Sequence, residues 1–232
     1  MRLNFIKLLS ALSLSLATLA HAQSTNSLYV LQPVNQVVPD QNINGLFSTI
    51  TISGMDGSVQ SLQVGLEITY GWTGDYFAYL AGPTGTYSVL LNRPGVTAGN
   101  PFGYSDTGFN LVLSSDAANN VHFYQSGYYS LDANGLVVGT YAPDGRNIDP
   151  RSLPSAFDSA LTGTGLSPVL GTNPNGDWTL FVSDASGGYQ GTLANWSLTL
   201  TTIPEPKSNA VFLLGAFLVL CFCRRFGVGT KN

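Results

Sequence analysis

The chain has 232 residues, 44% of them hydrophobic, which is enough for one sizeable domain and too few for two large ones. Only 9% of the residues are charged, whereas glycine occurs 26 times and proline 12 times, a balance that favours short strands joined by tight turns. Three arginines face twelve carboxylates between residues 23 and 203, and so acidic a surface excludes nucleic-acid binding. We therefore predict an all-β protein with a single domain.

The N-terminus has the three parts of a secretory signal peptide. Arg2 and Lys7 supply positive charge, residues 8–19 are largely apolar, and Ala20-His21-Ala22 has the small-x-small pattern of a cleavage site. The apolar stretch is shorter than the roughly 20 residues that span a bilayer, which argues against the alternative of a permanent anchor. We therefore predict a signal peptide over residues 1–22, cleavage after Ala22 and export of the remainder.

Strand patterns follow a lead-in that we assign to residues 23–44. Alternation is clearest in residues 62–70, where one face is predicted to be apolar and buried: Leu62, Val64, Leu66, Ile68 and Tyr70. Residues 76–91 read as a hairpin whose turn is Gly82-Pro83-Thr84-Gly85. Shorter strands are predicted at residues 109–115 and 135–141.

Two further strands are predicted near the end of the domain. Residues 178–183 and 194–201 both alternate, and a loop rich in serine and glycine joins them, so we predict an antiparallel pair. No stretch shows a sustained helical period, although residues 154–163 have a pattern compatible with one or two helical turns.

Four motifs in this region resemble the P domain (Homo B domain) of proprotein convertases. They are Gly74-Asp75 before a strand, the turn from Pro83 to Thr86, the strand from Gly176 to Asp184, and the strand from Gly191 to Leu198. The resemblance implies a jelly-roll β-sandwich of about eight strands, which we place at residues 45–202. In the convertases this domain is non-catalytic and sits beside a subtilisin-like protease, for which this chain has no room.

The C-terminal tail, residues 203–232, begins with Pro204-Glu205-Pro206 and ends with a basic pair, Arg224 and Arg225. Between them lies an apolar run without charge, predicted to be a short transmembrane segment at about residues 208–223. The positive-inside rule keeps the basic end cytoplasmic and the domain outside. A permanent single-span anchor would explain these features.

The ordered set of Pro-Glu-Pro, apolar segment and basic end also resembles the PEP-CTERM sorting signal of exported bacterial proteins. The resemblance implies recognition by an exosortase-type membrane enzyme near Pro204, Glu205 and Pro206, removal of the tail and transfer to the outer envelope or extracellular space. Both cysteines, Cys221 and Cys223, lie in the tail, so the domain has no disulfide.

No catalytic constellation is evident in the exported part. His122 is its sole imidazole, no nucleophile elbow lies nearby, and no phosphate loop, HExxH pair or CxxC zinc spacing occurs. We predict that the protein is not an enzyme. A Ser-His-Asp triad built on His122 and a glycosidase-like pair of carboxylates are the alternatives.

Several aspartates lie in predicted loops, where most serve turn formation and some are of the type that calcium prefers. The calcium candidates are Asp75, Asp106, Asp144, Asp149 and Asp184. Two groups of aromatic residues, at 70–79 and 102–129, either pack within the sandwich or form a platform for sugars.

The leading functional hypothesis is a non-catalytic module of the cell envelope or extracellular matrix that binds an envelope protein or a polysaccharide. The alternative is an accessory P domain that assists a separately encoded subtilisin-like serine protease. Membrane contact is predicted to be transient, through the tail of an inner-membrane-anchored precursor.

Overall fold

Alternation of apolar and polar side chains builds ten strands in the part of the chain that the structure, a computed structural model, describes: residues 25–163 and 165–204. The strands are β1 (Asn26–Val37), β2 (Asn42–Ile52), β3 (Ser58–Trp72), β4 (Tyr76–Ala81), β5 (Tyr87–Asn92), β6 (Thr107–Ser114), β7 (Ser130–Leu131), β8 (Val137–Tyr141), β9 (Gly176–Asp184) and β10 (Thr192–Ile203). One short α-helix, α1 (Pro154–Ser159), and 3-10 turns at Thr73–Asp75, Val121–Ser126 and Ser167–Val169 complete the regular structure.

The strands form two sheets. The large sheet has the order β1-β10-β3-β6-β8-β7, and the small sheet has the order β2-β9-β4-β5. Neighbouring strands are antiparallel except β6 and β8, which are parallel. The predictions of an all-β domain and of a β-sandwich are therefore confirmed.

The core lies between the two sheets. Strand β3 contributes Leu62, Val64, Leu66 and Ile68, all buried as the alternation predicted, and each such side chain contributes about 1.5–3 kcal/mol on burial. Trp178 of β9 and Trp196 of β10 are completely buried from opposite sheets. Their indole N–H groups donate to the carbonyl of Pro174 and the hydroxyl of Ser48, both at 2.8 Å, so neither donor is left unpaired.

The predicted hairpin is present as β4 and β5, and the predicted helical turns are present as α1. The expectation that Tyr70 faces the core is wrong, because 69% of its surface is exposed. Tyr70 and Gly71 both have positive φ, and the register of β3 shifts between Thr69 and Trp72. This bulge reverses the face that Tyr70 presents.

The predicted antiparallel pairing of the last two strands is also wrong. Strand β9 lies in the small sheet between β2 and β4, whereas β10 lies in the large sheet between β1 and β3. The segment after Asp184 therefore crosses from one sheet to the other, as connections in a sandwich do.

Strand β1 lies within the stretch that we assigned to a lead-in, and it pairs with β10 from Asn26↔Thr202 to Val37↔Thr192. It is therefore part of the large sheet. No helix among the described residues is long and apolar enough to cross a membrane. The predicted signal peptide and the predicted segment at 208–223 lie outside the described residues.

Candidate functional site

Two aspartates from different parts of the sequence meet at one end of the sandwich. Asp75 closes the 3-10 turn between β3 and β4, and Asp184 is the last residue of β9. Because β4 and β9 pair with Tyr76 opposite Asp184, the two residues become neighbours. The backbone N–H of Ala185 donates to the carbonyl of Asp75 at 2.8 Å, which fixes the chain on either side of the pair.

Both carboxylates are almost completely buried, at 1% exposure for Asp75 and 0% for Asp184. In each of them the Oδ2 atom has no hydrogen-bond partner. Asp184 Oδ1 accepts the backbone N–H of Ser186 at 3.1 Å, and Asp75 Oδ1 lies 4.0 Å from Nη2 of Arg93. A buried oxygen without a partner carries a substantial desolvation penalty, so binding of a proton or a cation would stabilise this pair of carboxylates.

The pKa values of the pair reflect this environment. Burial raises the pKa of Asp75 to about 6, although the Arg93 guanidinium and the Ser186 side chain oppose the rise. Burial raises the pKa of Asp184 to about 7. The carboxylates of Asp75 and Asp40 add to this rise, and the hydrogen bond from the Ser186 backbone N–H opposes it. The negative charge of Asp40, an exposed residue between β1 and β2, adds to the rise of both pKa values.

Gly74, the partner of Asp75 in the Gly-Asp motif, is required by a close backbone approach. A Cβ at this position would lie 2.6 Å from the carbonyl oxygen of Phe102 and 2.7 Å from the N of Tyr104. The N–H of Gly74 also donates to the carbonyl of Tyr104 at 2.7 Å. The glycine therefore lets the loop at 102–104 pack directly against the turn that carries Asp75.

A second polar cluster surrounds His122, which is completely buried. Its Nδ1 lies 2.7 Å from Oδ2 of Asp144, and its Nε2 lies 3.0 Å from the carbonyl oxygen of Val96. Nη1 of Arg146 donates to the other oxygen of Asp144 at 2.9 Å. Both ring nitrogens are thus engaged with oxygen atoms of the protein, and neither is free to contact another group.

This arrangement does not resemble a Ser-His-Asp triad, although it contains a histidine and an aspartate. In a triad the second ring nitrogen contacts the nucleophile, whereas here it contacts the backbone carbonyl of Val96. Rings of Phe123 and Phe157 enclose the imidazole, with centroids at 4.7 and 6.0 Å. The cluster joins the segments around residues 96, 122 and 144 instead of opening to a substrate.

The other calcium candidates lie apart from Asp75 and Asp184. Asp106 accepts hydrogen bonds from the Tyr124 hydroxyl at 2.7 Å and from the Gln125 amide. Asp149 lies on the surface, where hydrogen bonds from Arg151 lower its pKa to about 2. Within the described residues no group of three or more histidine, cysteine or acidic side chains is placed to hold a metal ion. The five candidates therefore do not form one site.

Some of the aromatic residues pack in the core, and others form a row on the outer face of the small sheet, in which Phe181 is itself buried at 5% exposure. Tyr76 and Tyr124 belong to the core, as the packing alternative predicted. The sequence did not predict this row of aromatic rings across the outer face of the small sheet. Centroids of neighbouring rings in the row lie 4.8 Å, 4.9 Å and 5.7 Å apart, in the order Phe47, Phe181, Tyr79 and Tyr87. These residues come from four different strands, so only the pairing of β2, β9, β4 and β5 aligns them.

The predicted processing residues fall at or beyond the limits of the described structure. Pro204 is the last described residue. Ala22, Glu205, Pro206, Arg224 and Arg225 lie outside the described residues, and their roles stay predictions.

Comparison with known families identifies part of the chain. The family model of the proprotein convertase P-domain matches residues 151–200, which run from the segment before α1 through β9 into β10. The P-domain resemblance is thereby confirmed over this range, and the matched family is a non-catalytic domain of serine endopeptidases. No curated protein sequence matches the chain.

Two solved structures are similar to this chain: a complex of an Aeromonas sobria serine protease with a chaperone, and a serine protease of Aeromonas sobria. The first has 18% sequence identity and a TM-score of 0.44, and the alignment covers 83% of this chain and 30% of that one. The second has 18% identity and a TM-score of 0.43, with 82% and 29% covered. This chain therefore spans less than a third of the length of either protease chain.

Proposed function

From the P-domain match over residues 151–200, we propose that this chain is an exported, non-catalytic P-domain-like module of the cell envelope or extracellular matrix. The observation that carries the proposal is the state of His122, whose two ring nitrogens are both engaged with Asp144 and Val96. A general base needs a free nitrogen within reach of a nucleophile. A structural or binding role, with an envelope protein or a polysaccharide as the partner, agrees with this arrangement. Jelly-roll connectivity of the sandwich is part of the same proposal.

The proposed location rests on the two ends of the sequence. Removal of residues 1–22 exports the chain, and recognition of the Pro204-Glu205-Pro206 segment by an exosortase-type enzyme releases it from the inner membrane. Mass spectrometry of the C-terminal peptide in each cell fraction tests this step. Surface protein should lack residues 210–223, and Glu205→Ala should leave uncut protein in the inner membrane. An intact tail on wild-type protein at the cell surface would leave only the permanent anchor.

A second candidate function follows from the family of the match, because P domains accompany serine endopeptidases. In this alternative the chain assists a subtilisin-like protease that a separate gene encodes. Affinity purification of the exported protein from its native cells distinguishes the two. Co-purification of a protease that lacks its own P domain supports the accessory role, whereas envelope proteins or polysaccharide alone support the matrix role.

We further propose that Asp75 and Asp184 are the calcium-binding pair among the five candidates. They alone combine deep burial with carboxylate oxygens that lack partners, and a cation would replace the protons that burial favours. Backbone carbonyls and waters would have to complete the coordination shell, because the described residues offer no third buried carboxylate there. Calcium should raise the melting temperature relative to chelator at pH 8, and Asp184→Asn should abolish the difference. Identical melting curves in calcium and chelator would remove the ion from this account.

A further inference from the structure

A shallow groove of about 250 Å³ crosses the outer face of the large sheet. The strand registers show how it forms, because residues paired across neighbouring strands lie side by side on one face of a sheet. One such row forms the floor of the groove: Leu31 of β1, Ser197 of β10, Gly65 of β3 and Val112 of β6. The register is regular at Gly65, and an interior glycine without a bulge often marks a place where a ligand approaches the backbone closely.

Two polar walls flank this floor, each formed by the outward-facing residues two positions away on neighbouring strands. One wall consists of Tyr29, Thr199 and Gln63, and the other consists of Asn195, Glu67 and Asn110. The walls are four residues apart along the strands, roughly 13 Å between Cα atoms, and residues within a wall are about 4.8 Å apart, which is the spacing of neighbouring strands. The groove therefore offers polar side chains at regular intervals along both sides.

Several of these polar groups have no partner in the protein. Among the described residues, the side chains of Gln63, Ser197 and Thr199 make no hydrogen bond. The Ser197 hydroxyl lies over the floor, since a Cβ at Gly65 would be 2.3 Å from its Oγ. Glu67 carries the only charge among the described residues that line the groove, and its carboxylate accepts a hydrogen bond from the side-chain amide of Asn195. The groove therefore has unused donors and acceptors but little free charge.

The outer face of the small sheet differs in this respect. The hydroxyls of Thr49 and Thr179 bond to each other at 3.1 Å, and the hydroxyl of Thr51 donates to Asp177 at 2.7 Å. The aromatic row on that face is closed at its centre by Phe181, which is only 5% exposed. Polar and aromatic groups on the small sheet thus contact one another, whereas those of the groove are left for a ligand.

We infer, resting on the proposed role as an envelope module that binds polysaccharide, that this groove holds a neutral polysaccharide chain. Sugar hydroxyls both donate and accept hydrogen bonds, and the amide of Gln63 can do the same. The polar groups of each wall repeat with the strand spacing, which is close to the length of one pyranose unit, so successive units meet successive side chains. Tyr29 stands at the end of one wall with 62% of its surface exposed, so its ring offers a flat apolar face to a sugar ring.

Charge and composition select this ligand over other polymers. Between residues 23 and 203 twelve acidic side chains face three arginines, and no arginine or lysine occurs among the described residues that line the groove, so an anionic polymer would be repelled. Serine, threonine and leucine, which form much of the groove, are under-represented among the residues that dominate protein–protein binding. Strands β10 and β3 are paired on both sides within the sheet, so a peptide strand would find no free backbone ladder there.

Affinity electrophoresis of the full chain tests the inference, with the neutral polysaccharide fraction extracted from the envelope of the native cells as the probe. A nonionic detergent without a sugar headgroup keeps the chain in solution and does not compete for the groove. The chain without substitutions should be retarded by the polysaccharide. Gln63→Ala should weaken binding roughly three- to tenfold through the loss of a hydrogen bond. Gln60→Ala, which changes an equally exposed glutamine of β3 outside the groove, is the matched control and should bind unchanged.

A larger side chain on the floor of the groove gives the second measurement. Ser197→Leu should abolish the retardation because it fills the space above Gly65, whereas Thr49→Leu, on the outer face of the small sheet, should retain it. Circular dichroism of both variants establishes that they are folded. The acidic polysaccharide fraction of the same extract should retard none of these proteins.

The outcomes separate this inference from the proposed function. Equal retardation of wild type and a folded Ser197→Leu variant would overturn the inference and leave the binding role intact, because the polysaccharide would then bind elsewhere. Absence of retardation by the neutral fraction, or equal retardation by the acidic fraction, would overturn it as well. So would an envelope protein that co-purifies with the wild type and not with Ser197→Leu, since the groove would then hold a protein.

Discussion

Replacing Asp184 with asparagine tests whether the buried acidic pair controls the pH dependence of folding. In the folded protein burial raises the pKa of Asp184 from 3.8 to about 7, and the carboxylates of Asp75 and Asp40 add to the rise. The folded state therefore holds this proton more tightly than the unfolded state. The resulting stabilisation is fully present below about pH 4 and is lost as the pH rises towards 7.

The magnitude follows from the two pKa values. The interval from 3.8 to about 7 corresponds to roughly 4 kcal/mol, at about 1.4 kcal/mol per pH unit. Asparagine has the same shape and can still accept the Ser186 backbone N–H, but it cannot ionise. Between pH 4 and pH 8 the wild type should therefore lose up to about 4 kcal/mol of unfolding free energy relative to the Asp184→Asn variant.

Urea unfolding at half-unit steps from pH 4 to pH 8, in the presence of chelator, measures this difference. Asp177→Asn is the matched control, because it removes an exposed carboxylate from the same strand. Curves for the wild type and Asp184→Asn that run parallel over the whole range would refute the reasoning. If they diverge as expected, calcium at pH 8 should restore the stability of the wild type alone, since only the wild type retains both carboxylates.

Two further substitutions test the other parts of the site. His122→Ala should lower the unfolding free energy by about 3–5 kcal/mol, because it leaves Asp144 buried with part of its pairing lost, and a urea titration measures the change. Peptide and polysaccharide hydrolysis should be absent from wild type and variant alike, so hydrolysis that disappears in His122→Ala would contradict the non-catalytic role. Gly74→Ala should cost about 1–3 kcal/mol by forcing the loop at 102–104 away from the turn, whereas Gly85→Ala, where no atom lies near the added Cβ, should cost only the strain of its positive φ.

The strands could be predicted from the sequence because their signals are local. The alternation in residues 62–68 matches the buried face of β3, and the turn before Thr86 closes with Gly82 N–H donating to the Thr86 carbonyl at 2.8 Å. The prediction failed at Tyr70 because a bulge adds one residue to the strand, so the side chains after it point to the opposite face of the sheet. Nothing in the hydrophobic alternation signals such a bulge, although the following Gly71 is a residue type that often accompanies one.

Strand partners could not be predicted in the same way. Alternation shows which face of a strand is buried, but it does not show which strand lies beside it. Strand β9 pairs with β2 and β4, and β10 pairs with β1 and β3, all of them roughly 100 or more residues away in sequence. A loop of serine and glycine suits a hairpin and a crossover equally well, so the adjacent strands were assigned to one another.

Because strand pairing could not be predicted, five scattered aspartates were proposed as calcium candidates, although only Asp75 and Asp184 lie together. Asp75 stands immediately before β4, and Asp184 ends β9, so each belongs to a different motif of the P-domain pattern. Once β4 is known to pair with β9, with Tyr76 opposite Asp184, the two carboxylates must lie together at one end of the sheet. The chemistry of the site therefore depends on a pairing between residues more than one hundred positions apart. A change that shifts the β4–β9 register should separate the carboxylates and return their pKa values towards the ordinary range, even if both aspartates remain in place.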